Sequence, residues 1–269
     1  HDALPISVIV QQKDAGGVMV VLPADHYVAD NNRFAAVLQG AVEAARENRA
    51  VTIGITATRP ETGYGYIAQG QYYQNFAGIP SYHVERFTEK PDRQKAAEFL
   101  EAGNYFWNSG IFVWKGDVIR QLIEEHLPAL AVGLDKIEEA VGTTSYPQVL
   151  QEVYEGLPKI SIDYGVLEKT REILMVPGNF GWDDVGTWTA LEAYKEHDLN
   201  GNVLDGQGVL VDTTNTMVQG SDKVVATLGV DNLIIVESEG SILICNKQRA
   251  QDLKKVTKAL QENGYKEIL

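Results

Sequence analysis

Apolar runs and helix-spaced patterns alternate through the first third of the chain. The stretch 18-VMVVLPAD-25 is a continuous apolar run closed by Pro23, the pattern of a strand buried on both faces within a parallel sheet. Behind an Asn-rich start, 31-NNRFAAVLQGAVEAARE-47 sets Phe34, Val37, Leu38 and Val42 at helical spacing. The run 50-AVTIGITA-57 predicts a second buried strand. Strand, helix and strand in that order predict a right-handed parallel crossover, with ligands held beyond the carboxyl ends of the strands. Asp25 and His26 stand at such an end.

Further on, 63-GYGYIAQG-70 and 82-YHVERFTEK-90 read as paired strands, and 94-QKAAEFLEAG-103 as a short helix closed by Gly103. The segment 110-GIFVW-114 predicts a buried strand, and 117-DVIRQLIEEHL-127 a helix capped by Asp117. From about residue 201 short runs such as 208-GVLVD-212, 223-KVVATLG-229 and 232-NLIIVES-238 alternate with Gly, Asn and Asp turns. They predict a small antiparallel or coiled β layer, closed by a helix over 248–264. The fold class expected is α/β: a Rossmann-like, mostly parallel sheet flanked by helices over residues 1–200, then a β-rich, β-helix-like part with a terminal helix over 201–269.

Composition narrows the functions open to this fold. A formal net charge of -14, from 23 Lys and Arg against 37 acids, argues against nucleic acid or an anionic membrane as partner. A phosphorylated ligand would need a few placed cations or a metal. No apolar run approaches the roughly 20 residues of a membrane span. The single cysteine, Cys245, forms no internal disulfide, so a reducing, cytoplasmic setting is expected. In 241-SILICNK-247 that cysteine reads as inert core in a buried strand. The chain opens on His1 without an initiator Met, and 1-HDALPI-6 has no signal-peptide pattern, so a start further upstream is expected.

Candidate chemistry sits in a few short stretches, each with a plainer alternative. In 179-NFGWDDVGTW-188, Asp183 and Asp184 precede a predicted helix, where an acid ordinarily caps free N–H groups. The two tryptophans and two glycines around them describe a rigid loop suited to holding a ligand. Asp25 and Asp184, carboxylates from distant parts of the chain, are the minimum for a Mg²⁺ that takes its other ligands from water and phosphates. Glu89 and Lys90 in 86-RFTEKPD-92 precede Pro91, which predicts an extended Lys90; a solvated charge pair at a strand end is the alternative. The stretch 107-WNSG-110 is open to reading as a turn, and Asp163 in 160-ISIDYG-165 as a helix cap.

Taken in order, VLPADH (21–26), TRPETGYGYI (58–67), FTEKPD (87–92), YFWNSGIFVW (105–114), SIDYGVLEK (161–169), FGWDDVGTW (180–188) and GNV (201–203) resemble the mannose-1-phosphate guanylyltransferases of the sugar nucleotidyltransferase superfamily. The resemblance implies that the partners are GTP and mannose 1-phosphate, and that Mg²⁺ is held by Asp25 and Asp184 while Asp183 fills a variable slot. It implies that Lys90 neutralises the sugar phosphate and that Glu89 and Asn108 hydrogen-bond sugar hydroxyls. Gly65 would let the backbone approach the sugar, with Tyr64 and Asp163 lining the same pocket. Lys169 reads as a solvated residue. A homodimer is left open. The alternatives are a nucleotidylyltransferase of other base or sugar, and a noncatalytic sugar-phosphate-binding homologue. One departure is clear: the family's Gly-rich run GGxGTRLWPLSR, which cradles the triphosphate, has no counterpart here, so impaired transfer is expected.

Overall fold

A computed structural model describes residues 3–220, 222–238, 240–265 and 267. His1 lies outside the described residues. The chain divides into two compact units, His1–Trp182 and Asp183–Leu269.

The first unit runs α1 (Ala3–Lys13), β1 (Val18–Val21), β2 (Tyr27–Val28), α2 (Asn31–Arg46), β3 (Ala50–Thr56), β4 (Tyr66–Phe76), β5 (Ile79–Thr88) and α3 (Arg93–Ala102). It continues through β6 (Tyr105–Lys115), α4 (Gly116–His126), α5 (Pro128–Ala140), α6 (Tyr146–Gly156), a π-helix (Asp163–Leu167) and β7 (Ile173–Gly178) to β8 (Trp182–Asp183). Six strands form one sheet in the order β1-β6-β3-β7-β5-β4. Strands β1, β3, β4 and β7 run one way, and β5 and β6 run against them. Helices cover both faces. On one, Val37, Ala41 and Phe99 from α2 and α3 pack with Ile53 and Val176; on the other, Ile119, Leu122 and Leu134 from α4 and α5 pack with Trp114 and Met175.

Several sequence expectations need correction. β1 and β3 share a direction, as a crossover requires, but antiparallel β6 lies between them. β1 is therefore an edge strand and not a doubly buried one: Val20 is 38% exposed and Leu22 beyond it 46%. The doubly buried strand that pairs parallel with β3 is β7, whose short ILMV run is hidden among charged and proline-bearing neighbours. The N-cap of α2 is Asp30, whose side chain accepts from Arg33 N–H. Asp117 lies in the first turn of α4, where Lys115 holds the cap position and Asp117 Oδ1 accepts from the neighbouring Val118 N–H. Gly103 does close α3, in the left-handed conformation at φ 72°.

The second unit holds α7 (Trp188–Glu192), β9 (Val203–Asp205), β10 (Gly208–Val211), β11 (Met217–Gln219), β12 (Val225–Leu228), β13 (Leu233–Ser238), β14 (Ser241–Asn246) and α8 (Leu253–Glu262). β9, β11 and β13 stack in parallel, bringing Val203, Met217 and Ile234 into one buried column. This is the coiled form of the expected β layer. Asn202 explains the GNV stretch: its amide donates to Thr213 O and accepts from Thr216 N–H, satisfying backbone groups between successive turns of the coil. β14 is an edge strand with Ile242 and Ile244 exposed, which corrects the buried reading of SILICNK. Cys245 is half-buried there, and burial raises its thiol pKa, which disfavours the reactive thiolate. The closing helix begins as a 3-10 turn, Lys247–Asp252, capped by Asn246.

Candidate functional site

Sheet register assembles the core of the site. Tyr66, the first residue of β4, is paired on one side with Thr88 of β5 and on the other with Trp107 of β6. One step beyond these antiparallel pairs, Gly65 meets Glu89 and Asn108, and Asn108 N–H donates to Gly65 O at 2.8 Å. The contact is close: a Cβ on Gly65 would stand 2.4 Å from Glu89 Oε2 and 3.3 Å from Asn108 Cβ. A side chain there would push the Glu89 carboxylate aside and crowd Phe87 and Asn108.

A bulge aims Asn108. Thr52 of β3 faces Phe112 and Gly54 faces Asn108, so two residues of β3 span four of β6. Within the bulge Gly110 takes φ 70°. The WNSG stretch is thus a strand with a kink and not a turn. Asn108 Nδ2 donates to Asp163 Oδ1 at 3.1 Å, and Asn108 Oδ1 accepts from Gly110 N–H and from the Thr52 hydroxyl.

Asp163 opens the π-helix, whose Gly165, Val166 and Leu167 are buried and anchor it. It is not a cap; Ile162 holds that position. At the other end Glu168 Oε1 accepts from Glu89 N–H at 2.9 Å. Lys90 departs from expectation. β5 ends at Thr88, and Lys90 adopts φ 45° despite Pro91. This conformation brings its ammonium back to Glu89, Nζ to Oε1 at 2.7 Å, and overrides the local preference of a pre-proline residue.

Two partly buried acids and one exposed ammonium meet here. Burial raises the pKa of Glu89 and of Asp163, and the two acids also repel one another. The Glu89 hydrogen bond holds Lys90 charged more firmly than usual. The Lys90 side chain is exposed while Glu89 is nearly covered, so the ammonium faces outward.

Tyr64 is buried, with its ring edge-on to Trp107 and Trp182 at 5.2 and 5.3 Å. Trp182 Nε1 donates to His26 Nδ1 at 3.1 Å, so neutral His26 carries its proton on Nε2. This aromatic cluster fixes the loop after β1, and exposed Asp25 lies in that loop. The loop also touches the bulge, since Pro23 Cγ is 3.4 Å from the Cβ position of Gly110.

In the second unit neither Asp183 nor Asp184 caps a helix. Thr187 caps α7 by accepting from Ala190 N–H. Asp183 Oδ1 accepts from Val185 N–H at 2.8 Å and Asp184 Oδ1 from Gly186 N–H at 2.9 Å, two successive Asx turns around Val185 at φ 48°. Among the described residues no group of three or more His, Cys, Asp or Glu is arranged to hold a metal. Carboxylate oxygens such as those of Asp25 and Asp184 suit a hard cation that takes most of its ligands from water and phosphate.

With this geometry in hand, comparison with known proteins is informative. The family described as nucleotidyl transferase matches residues 2–201, and the MannoseP isomerase/GMP-like beta-helix domain matches residues 206–260. The chain belongs to the nucleotidyl transferase family. It is 36% identical over 254 residues to alginate biosynthesis protein AlgA of Pseudomonas fluorescens, covering 93% of this chain and 52% of AlgA. It is 33% identical over 251 residues to mannose-1-phosphate guanylyltransferase of Escherichia coli (strain K12), covering 93% and 52%. A crystal structure described as mannose-1-phosphate geranyltransferase from Thermus thermophilus superimposes with a TM-score of 0.82 at 39% identity, over 96% of this chain and 74% of that one. The chain spans about half the length of the curated relatives it matches.

Sequence reasoning missed Thr52 and Glu168. A hydroxyl in the buried middle of an otherwise apolar run, AVTIGI, was the available signal for Thr52. Glu168 carried none beyond its place in SIDYGVLEK.

Proposed function

We propose that this chain carries the sugar-phosphate side of a mannose-1-phosphate guanylyltransferase. The observation that supports it is the convergence of Gly65, Glu89, Lys90, Asn108 and Asp163 on one sheet row and the π-helix beside it. Gly65 gives a close backbone approach, Glu89 and Asn108 offer hydrogen bonds to sugar hydroxyls, and Lys90 offers the charge for the sugar phosphate. Tyr64 supports this wall from behind, and Asp163 orients Asn108.

In the reaction, a phosphate oxygen of mannose 1-phosphate attacks the α-phosphorus of GTP. A new P–O bond forms as the bond to the β-phosphate oxygen breaks, and pyrophosphate leaves with that electron pair. Lys90 holds the nucleophile in line and offsets its charge. Mg²⁺, when bound, supplies further neutralisation of the phosphates, with Asp25 and Asp184 the candidate ligands. On this reading residues 1–200 form the nucleotidyltransferase part and 201–269 the β-rich part, in a cytoplasmic protein. Among the described residues no helix is long and apolar enough to cross a membrane.

The test is product formation from GTP and mannose 1-phosphate, by the chain alone and with a relative's Gly-rich phosphate-binding segment joined ahead of it. Expected are GDP-mannose and pyrophosphate from the joined protein, and turnover lower by about two or more orders of magnitude from the chain alone. Preference of the joined protein for another base or sugar, or binding without turnover, contradicts the proposal.

A further inference from the structure

Thr52 is 1% exposed, in a strand whose flanking Val51 and Ile53 are equally buried. A hydroxyl in that position must be satisfied. Its Oγ1 lies 3.2 Å from Asn108 Oδ1 and 3.3 Å from Ile111 O, the two ends of the β6 bulge. Ser109, also buried, completes the staple: its hydroxyl donates to Ile53 O at 2.7 Å and accepts from Ile111 N–H at 3.2 Å. The bulge takes Ile111 and Gly110 out of the regular ladder; the Ser109 hydroxyl and the Asn108 amide accept from their N–H groups, and the single Thr52 hydroxyl proton is shared between Asn108 Oδ1 and Ile111 O.

The same contacts define which way the Asn108 amide faces. Gly110 N–H can only donate, so the atom before it is the oxygen, which leaves the nitrogen to face Asp163 Oδ1. The oxygen end is held by two long contacts, of which Thr52 supplies one and Gly110, at 3.3 Å, the other.

We infer that Thr52 is a positioning residue: its hydroxyl fixes the bulge and the Asn108 amide, and through them selects the sugar. The inference rests on the reading of Asn108 as a sugar contact. Thr52 itself touches no substrate. A purely structural Thr52 would affect stability alone, whereas a positioning Thr52 affects sugar recognition and leaves phosphate recognition at Lys90 intact.

The experiment compares the chain with Thr52→Val and Thr52→Ser by two readouts. One is the side-chain amide of Asn108 in ¹⁵N NMR and its hydrogen exchange; the other is titration with mannose 1-phosphate and, separately, inorganic phosphate. Expected for Thr52→Val are faster exchange and a shifted Asn108 amide, and about tenfold weaker mannose 1-phosphate binding, the equivalent of one buried hydrogen bond. Phosphate binding stays unchanged, and Thr52→Ser restores both signals. Thr52→Ala removes the same hydroxyl and replaces Thr52→Val should the latter not fold. An unchanged Asn108 amide in the folded variant, or equal loss with Thr52→Ser, overturns the inference. If the amide responds as expected but even the unsubstituted chain binds no sugar phosphate, the guanylyltransferase reading fails while the positioning of Asn108 stands.

Discussion

Glu89 and Lys90 are chain neighbours whose charged groups touch at 2.7 Å, because the strand ends at Thr88 and Lys90 turns back at φ 45°. The pair is also tied from behind, by the Glu89 N–H bond to Glu168. On the function proposed above, Lys90 is the ammonium that a sugar phosphate would take over from Glu89.

Lys90→Met should lower kcat/KM in the active, joined protein by about two to three orders of magnitude. Lys90→Arg keeps charge but replaces a compact ammonium with a planar fork, so it should recover only part. Lys169→Met should cost least, since Lys169 is exposed beyond the π-helix. Steady-state pyrophosphate release gives the order. Near-normal Lys90→Met together with inactive Lys169→Met would assign the phosphate to the wrong lysine.

Gly65→Ala tests the tight row. The added methyl displaces the Glu89 carboxylate and crowds Phe87 and Asn108, and should destabilise the fold by about 1 kcal/mol in urea denaturation. Because the two positions touch, Gly65→Ala combined with Glu89→Ala should cost less than the two single losses added. Strict additivity would mean that the two side chains do not compete for the same space.

The pH dependence follows from Asp163. Burial raises its pKa above the ordinary 3.8, so the folded state binds its proton more tightly than the unfolded state does. The stabilisation is complete below 3.8 and is lost as pH rises through the folded value. Asp163→Asn removes this penalty and can still accept from Asn108. Relative to the unsubstituted chain, this variant should therefore gain melting temperature between pH 4 and pH 7, read by thermal unfolding in about those two buffers. A relative loss over the same interval contradicts the assignment.

The adjacent aspartates should separate cleanly. Asp184→Asn keeps an acceptor for Gly186 N–H, so the turn survives while the charge goes; turnover in the joined protein should fall at least about a hundredfold and its Mg²⁺ requirement should rise. Asp25→Asn should do the same. Asp183→Ser, which can still accept from Val185 N–H, should stay within about threefold of the parent. Magnesium titrations of the three variants discriminate, and an Asp183 effect as large as that of Asp184 would refute the assignment of ligands.

Much of the fold was legible because periodicity reports local burial: α2, α3 and β3 stand where the pattern put them, and β4 and β5 pair as expected but extend through 71–76 and 79–81 and stop at Thr88. What the pattern does not carry is the neighbour of a strand. Val18–Val21 reads as core yet forms an edge, and β7 was overlooked although it lies beside β3. The local rule for a residue before proline failed at Lys90 because the ion pair with Glu89 and the Glu168 contact hold the loop. Motifs pointed to Gly65, Glu89 and Asn108 one by one. Their meeting depends on the register around Tyr66, and the aim of Asn108 depends on a bulge held by Thr52, neither of which a linear pattern displays.

On the proposed function, Gly65, Glu89, Lys90, Asn108 and Asp163 form one sugar-phosphate pocket. Titration of the ¹⁵N-labelled chain with mannose 1-phosphate tests it directly. Expected are saturable shifts concentrated at those five residues and abolished by Lys90→Met. Shifts that do not saturate, or that gather elsewhere while these five stay silent, would contradict it.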